Sequence, residues 1–139
     1  MSDNETFSAA DELAYEVRAR LANAPLSDYL IAVLAHEANR TYCAMIGDYS
    51  QVPWIDGPQW QRVSALKGVA FTRANPDASA SSSHDSWLAE KVADGWIYGP
   101  EKNSEEKTHP CCVSYEDLSQ DQKTKDALFQ GIVKALLFG

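Results

Sequence analysis

Residues 84–115 read HDSWLAEKVADGWIYGPEKNSEEKTHPCCVSY, and this stretch decides the fold. It holds Trp87 and Trp96 of the chain's four tryptophans, two of its three histidines and two of its three cysteines. Ser83 or a neighbouring serine caps a helix whose Trp87, Leu88, Lys91 and Val92 share one face. Asp94 ends that helix and Gly95 takes the left-handed position just beyond it. Trp96-Ile97-Tyr98 then alternates as a short strand, turned by Gly99-Pro100. Residues 101–106 are a solvated charge run. His109-Pro110 opens a return strand, Cys111 to Tyr115, where proline costs no ladder bond. The pair reads as a small β-hairpin.

Working outward, the flanks read as helices. Ser8, with Asp11 three residues on, starts a first helix with a thin stripe of Leu13, Val17 and Leu21. Asn23-Ala24-Pro25 breaks it. Ser27 caps a second helix that runs to about Ile46 and stops at Gly47, with Leu30, Ile31, Leu34, Ala35, Ala38 and Tyr42 as its apolar stripe. Residues 47–57 are an irregular connection. Asp56, with Pro58 in the first turn, starts a third helix that turns Trp60, Val63, Leu66 and Phe71 inward, with Gly68 as a stop or a close-packing site. Trp54 and Trp60 flank Pro58 and read as an aromatic cluster under the loop or as one wall of a pocket. Residues 72–83, TRANPDASASSS, read as a mobile loop. Ser119 with Gln122 is a capping box for a last helix to about Leu137, striped by Leu128, Ile132, Val133, Leu136 and Leu137. The fold class is therefore mainly α with a short β-hairpin: residues 1–26 form a polar tail and an appended helix, and residues 27–139 form one compact domain of four to five helices.

Composition narrows the function. The net charge is −8 over 139 residues. That opposes duplex nucleic acid, which needs a basic face, and opposes an anionic membrane surface. No apolar run reaches the roughly 20 residues of a spanning helix. The polar start MSDNETFS has no basic or apolar leader region, and an odd cysteine count with two adjacent thiols does not suit a disulfide scaffold. These points lead to an expectation of a cytoplasmic protein with reduced thiols.

The motif set resembles the ryanodine-receptor repeat (RyR) domain. The resemblance rests on His84 with Trp87, then Gly95-Trp96-Ile97-Tyr98-Gly99, then Lys107-Thr108-His109-Pro110-Cys111, then Tyr115 with Leu118. Upstream, HEANR at 36–40, Gly47-Asp48, Trp54 and Asn75-Pro76 resemble the fuller bacterial and phage versions, so the resemblance covers about residues 28–138. Ser114 and Cys112 depart from the usual Pro and Leu. The resemblance implies a non-pore module with structural, protein-interacting or adenine-nucleotide-binding roles, the nucleotide lying between paired repeats. A single-copy chain would then need a homodimer or higher homo-oligomer with Trp87 near a shared pocket.

Reactive chemistry finds little support in the spacing. His36-Glu37 lacks the second histidine of a zinc-protease helix, because position 40 is Arg. Those polar residues read instead as fold-holding partners. No pair spacing suits zinc, and residues 101–106 lack the glycine and carboxylate ladder of an EF-hand. His109 and Cys111, two apart on a strand, make a poor base–nucleophile pair. We therefore expect no catalytic residues, no metal and no cofactor. What fits best is a planar anionic ligand: aromatics stack on a ring and cations meet a phosphate. The candidate residues are Trp87, Lys91, Trp96, Tyr98, Lys107, His109, Arg40, Trp54 and Arg62. The leading expectation is a non-enzymatic module for a small nucleotide-like ligand, in the manner of a phage or bacterial signal-binding or sponge protein. The alternative is a protein-interaction or structural module with no small ligand.

Overall fold

The computed structural model describes residues 8–15 and 26–139. Residues 9–15 are helical (α1), and four longer helices follow: α2 (Asp28–Met45), α3 (Gln59–Ala74), α4 (Ala80–Ala93) and α5 (Gln120–Phe138). Strands β1 (Ile97–Tyr98) and β2 (Thr108–His109) lie between α4 and α5, and two 3-10 turns occupy Trp54–Asp56 and Tyr115–Asp117. The architecture is mainly α with a small β part.

Caps set the helix starts. Ser27 Oγ accepts from Leu30 N, Ser79 Oγ from Ser82 N, and Ser119 Oγ from Gln122 N. Ser8 and Asp11 exchange both capping-box bonds, at 3.1 and 3.2 Å. The return half of the Ser119 box is missing, because the Gln122 amide donates to Asp126 instead. In α1, Leu13 is exposed; Val17 and Leu21 lie outside the described residues.

The core gathers Ile31, Ala32 and Ala35 of α2, Val69 of α3, Val133 of α5, and Trp54. Small residues on α2 let its neighbours approach closely, so the packed face is centred on Ala32 and Ala35. Leu30 and Leu34 of the expected stripe remain exposed. Periodicity alone cannot choose between two adjacent stripes; the fit against α5 does. Likewise Val63 and Val92 face solvent, while Val69 and Thr72, absent from the expected set, are fully buried. Gly68 is a close-packing site: a Cβ there would lie 3.1 Å from the Phe129 ring of α5.

Three expected boundaries change. The third helix starts two residues later than expected, with Pro58 and not Asp56 as its N-cap. Residues 72–83 are not a loop: α3 runs through Ala74 and α4 begins at Ala80. Serine's helix cost is modest inside a first turn, and the joint is pinned because Gln130 Nε2 and Lys134 Nζ both donate to Ala78 O, each at 2.7 Å.

The third change is the β element. It is not a hairpin, and Cys111–Tyr115 is not its second strand. β1 pairs with β2 in parallel, Ile97 with Thr108 and Tyr98 with His109. The cause is a second chain reversal. Asn103 and Thr108 exchange both backbone bonds at 3.0 Å, Asn103 Oδ1 accepts from Glu105 N and Glu106 N, and Lys107 takes φ 54°. Two reversals return the chain in its original direction. Thr108 then sits directly on Gly99, where an added Cβ would lie 2.6 Å from Thr108 Cβ.

That contact generates a test. Gly99→Ala is expected to destabilise the fold by about 1–3 kcal/mol, as overpacking does. Gly131→Ala, where a Cβ meets nothing within 4 Å in α5, is expected to stabilise it by about 0.5–1 kcal/mol. Urea midpoints of the two variants check both signs.

Candidate functional site: a lysine enclosed by three tryptophans

The Gly95 stop builds the site. Gly95, at φ 90°, lets Gly95 N reach Val92 O at 3.0 Å and Trp96 N reach Lys91 O at 2.9 Å. This is a Schellman motif, whose habit is to pack the residue two beyond the cap onto the residue three before its end. Here those residues are Trp96 and Lys91. The Lys91 Nζ lies 4.9 Å from the Trp96 ring centroid, 4.8 Å from Trp60 on α3 and 5.9 Å from Trp87 one turn earlier on α4. His109 on β2 closes the group edge-on, 5.0 Å from Trp87.

Polar tips hold the rings in place. Trp87 Nε1 donates to Ser64 Oγ at 3.1 Å, and Trp96 Nε1 to Asp94 Oδ2 at 3.2 Å. Lys107 Nζ donates to Asp94 O at 2.7 Å, which ties the second turn to the end of α4. Trp96, His109 and Lys91 are buried, whereas Trp60 and Trp87 are half-buried and present ring surface outward.

The charge of Lys91 is held in an uncommon way. Among the described residues no hydrogen bond or ion pair reaches its Nζ; only ring faces do. Yet Nζ is not among the fully enclosed unpaired polar atoms, which are Asn39 Oδ1 and Asp126 Oδ2. Burial pulls its pKa down, and the Asp94 charge opposes that. Contact with an indole face contributes ~0.5–2 kcal/mol, more as water is removed. The ammonium therefore has three N–H donors and no acceptor, beside ring surface that is still open.

His109 is neutral. Burial first, then the charges of Lys102 and Lys91, push its pKa down to about 3. Its Nδ1 accepts from Cys111 N at 2.9 Å. That bond occupies the ring nitrogen a cysteine would need as a base. Burial pushes the Cys111 thiol up to about 11 and raises that of Cys112, so both stay protonated at neutral pH. Among the described residues no group of three or more His, Cys, Asp or Glu gathers to hold a metal ion, and no helix is long and apolar enough to cross a membrane.

Of the nine residues expected in the site, four converge: Trp87, Lys91, Trp96 and His109. Lys107 flanks them through Asp94, and Tyr98 stands exposed on β1. The other three lie elsewhere. Trp54 is buried, donates from Nε1 to Tyr29 Oη at 2.8 Å, and sits edge-on to His36. Arg40 pairs with Glu37 at 3.0 Å. Arg62 donates to Gly57 O at 2.7 Å. His36 Nε2 on Val52 O at 2.7 Å, Glu37 Oε1 accepting from Trp54 N and the Trp54–Tyr29 bond fasten the connection to α2, while Arg62 holds its end to α3. The two tryptophans flanking Pro58 thus belong to different clusters. Trp60, read with Trp54 as an aromatic cluster or one wall of a pocket but absent from the nine candidates, is a wall of this box, and Ser64 on the same helix holds Trp87.

A helical domain with a small β ribbon, organised around a tryptophan box, fits a binding or interaction module. Residues 72–138 match the family model of the RyR domain. The match begins at residue 72, whereas the resemblance read from the sequence reached residue 28. Residues 28–71 are part of the same body by packing, since α2 and α3 both rest on α5.

The neutral state of His109 gives a pH test. Its folded pKa lies below the roughly 6.5 of an unfolded histidine, so protons favour the unfolded chain. The stability it confers is complete above pH 6.5 and is lost as pH falls toward about 3. The wild type is expected to lose on the order of a few kcal/mol more than His109→Gln over that window. Denaturant midpoints at pH 7 and pH 4.5 measure it.

Proposed function

We propose that the chain is a non-enzymatic binding module for a small nucleotide-like ligand, with an anionic group on Lys91 Nζ and a planar ring on the outer faces of Trp60 and Trp87. The observation that carries this reading is the acceptor-free ammonium of Lys91 beside half-buried indoles. An anion there completes the hydrogen bonding of a cation already stripped of much of its water, and it costs no displaced ion pair. Stacking on tryptophan adds affinity for any flat ring, and so selects a class of ligand and not a single base. Tyr98 and Lys107 stand at the edge, placed to meet the rest of such a molecule. A second copy of the chain would supply the opposite wall, as the paired repeats implied by the resemblance do. A phage or bacterial protein that sequesters a nucleotide signal fits this chemistry.

A second reading is a protein-interaction module. It is favoured by Val92, Ile97 and Tyr98, which are exposed together around the end of α4 and β1.

Thermal-shift measurements with adenine nucleotides, ADP-ribose and cyclic dinucleotides separate the two. A ligand raises the melting temperature as RT ln(1 + [L]/Kd), about 2.7 kcal/mol at a hundredfold excess over Kd. A shift with at least one of these compounds is expected, together with its loss in Lys91→Met and Trp87→Phe. No shift at millimolar ligand in the folded wild type contradicts the nucleotide reading and leaves the interaction module.

A further inference from the structure

The rim of the tryptophan box carries a second cation. Trp60, Ser64 and Lys67 stand at i, i+4 and i+7 on α3, so they share one face. Ser64 of that face holds the Trp87 indole of α4 at 3.1 Å. Lys67 Nζ donates to Glu90 Oε2 at 2.9 Å, and Glu90 immediately precedes Lys91 on α4. The charges of Lys67 and Glu90 both act on Lys91, in opposite directions. The Glu90 carboxylate is thus bonded to one ammonium and favours the charge of the other. Its hold on Lys67 is loose: the two side chains are 60% and 58% exposed, a setting in which an ion pair contributes little. Lys107, on the other side of the box, is held more firmly. It donates to Asp94 O at 2.7 Å and lies 3.6 Å from Asp94 Oδ1. Lys67 has no main-chain partner among the described residues.

We propose that Lys67 is the second anion-binding residue of the box, and that the ligand carries two linked anionic groups, as a diphosphate does. One group meets Lys91 Nζ; the other meets Lys67 Nζ in place of the Glu90 carboxylate. This assignment rests on the nucleotide reading of the box and narrows the ligand from any planar anion to one that bears a diphosphate. The exchange at Lys67 costs little, because one charge-assisted bond replaces another and the displaced carboxylate is already in water. Glu90 seated on Lys67 shows that an anion fits there, and makes Glu90 an internal competitor in the free protein. A monophosphate on Lys91 leaves the Lys67–Glu90 pair intact, whereas a diphosphate reaches both ammonium groups.

Calorimetric titration of the full chain with pyrophosphate, AMP and ADP, without divalent ions, tests this. ADP is expected to bind about tenfold more tightly than AMP, the gain from one added charge-assisted contact. Lys67→Gln is expected to remove that preference while AMP affinity changes by about twofold or less, and Lys67→Arg to keep it. Glu90→Gln is expected to tighten ADP several-fold, with a smaller change for AMP, because an amide competes less for the ammonium. Pyrophosphate alone is expected to bind more weakly than ADP and to lose its binding in Lys67→Gln. Both substituted side chains are exposed, so the variants are expected to fold and melt close to the wild type. Equal affinity for AMP and ADP, or a preference that survives Lys67→Gln, overturns the proposal and leaves the nucleotide reading standing. Pyrophosphate binding that needs Lys67 and Lys91, with neither nucleotide bound, does the reverse. Binding of none of the three overturns both.

Discussion

The contact between the Lys91 ammonium and three indole faces organises the C-terminal half of this protein. It exists because Gly95 takes a conformation that L-residues with side chains rarely adopt, which folds Trp96 back over the last turn of α4. From that turn, Trp96 fixes where β1 leaves. β1 receives β2 in parallel, and β2 brings His109 edge-on to Trp87. α3 contributes Trp60 and the Ser64 hydroxyl. The box is thus built around one cation surrounded by ring faces, with no carboxylate among the described residues bonded to its Nζ. A carboxylate partner would have made the box inert toward anions; ring faces stabilise the charge and leave its hydrogens unused.

The molecule separates holding from presenting. The HEANR stretch of α2 uses His36 and Glu37 to fasten residues 46–57, with Trp54 as the buried anchor and Arg40 paired to Glu37. Those residues have their hydrogen bonds made and little left to offer. Around Lys91 the same residue types are arranged differently: the indole N–H groups are satisfied by Ser64 and Asp94, while the ammonium is not. Residue type therefore does not distinguish scaffold from candidate site here, and hydrogen-bond completion does.

Much of this was legible in the sequence. Ser27, Gly47, Gly95 and Ser119 marked helix ends correctly, because caps and left-handed stops are local devices. Trp87, Lys91, Trp96 and His109 were picked out together because they fall within one short stretch and one turn chemistry. The failures share a physical cause. Leu30 and Leu34 look like core by period, yet the choice of buried face on α2 depends on how closely α5 can approach Ala32 and Ala35. The parallel β pair was hidden because it needs two reversals, and the second depends on Asn103 side-chain bonds and on Lys107 adopting a positive φ. The serine run before His84 looked unstructured, although Ser79 caps it into a helix and α5 pins the joint at Ala78. Arg40, Trp54 and Arg62 had the right chemistry for a ligand, but Glu37 on the same helix, Tyr29 and the Gly57 carbonyl take up their polar groups. Trp60 joins the box only through the crossing of α3 and α4, which no local pattern encodes.

The claim that the box meets a planar anion can be tested directly on the four indole N–H groups, each of which gives its own NMR signal. Titrating ADP-ribose into the labelled wild-type protein should move the Trp60 and Trp87 indole signals, and that of Trp96 less, while Trp54 in its separate cluster stays still. Movement of Trp54 alone, or of none of the four at millimolar ligand, would contradict the account.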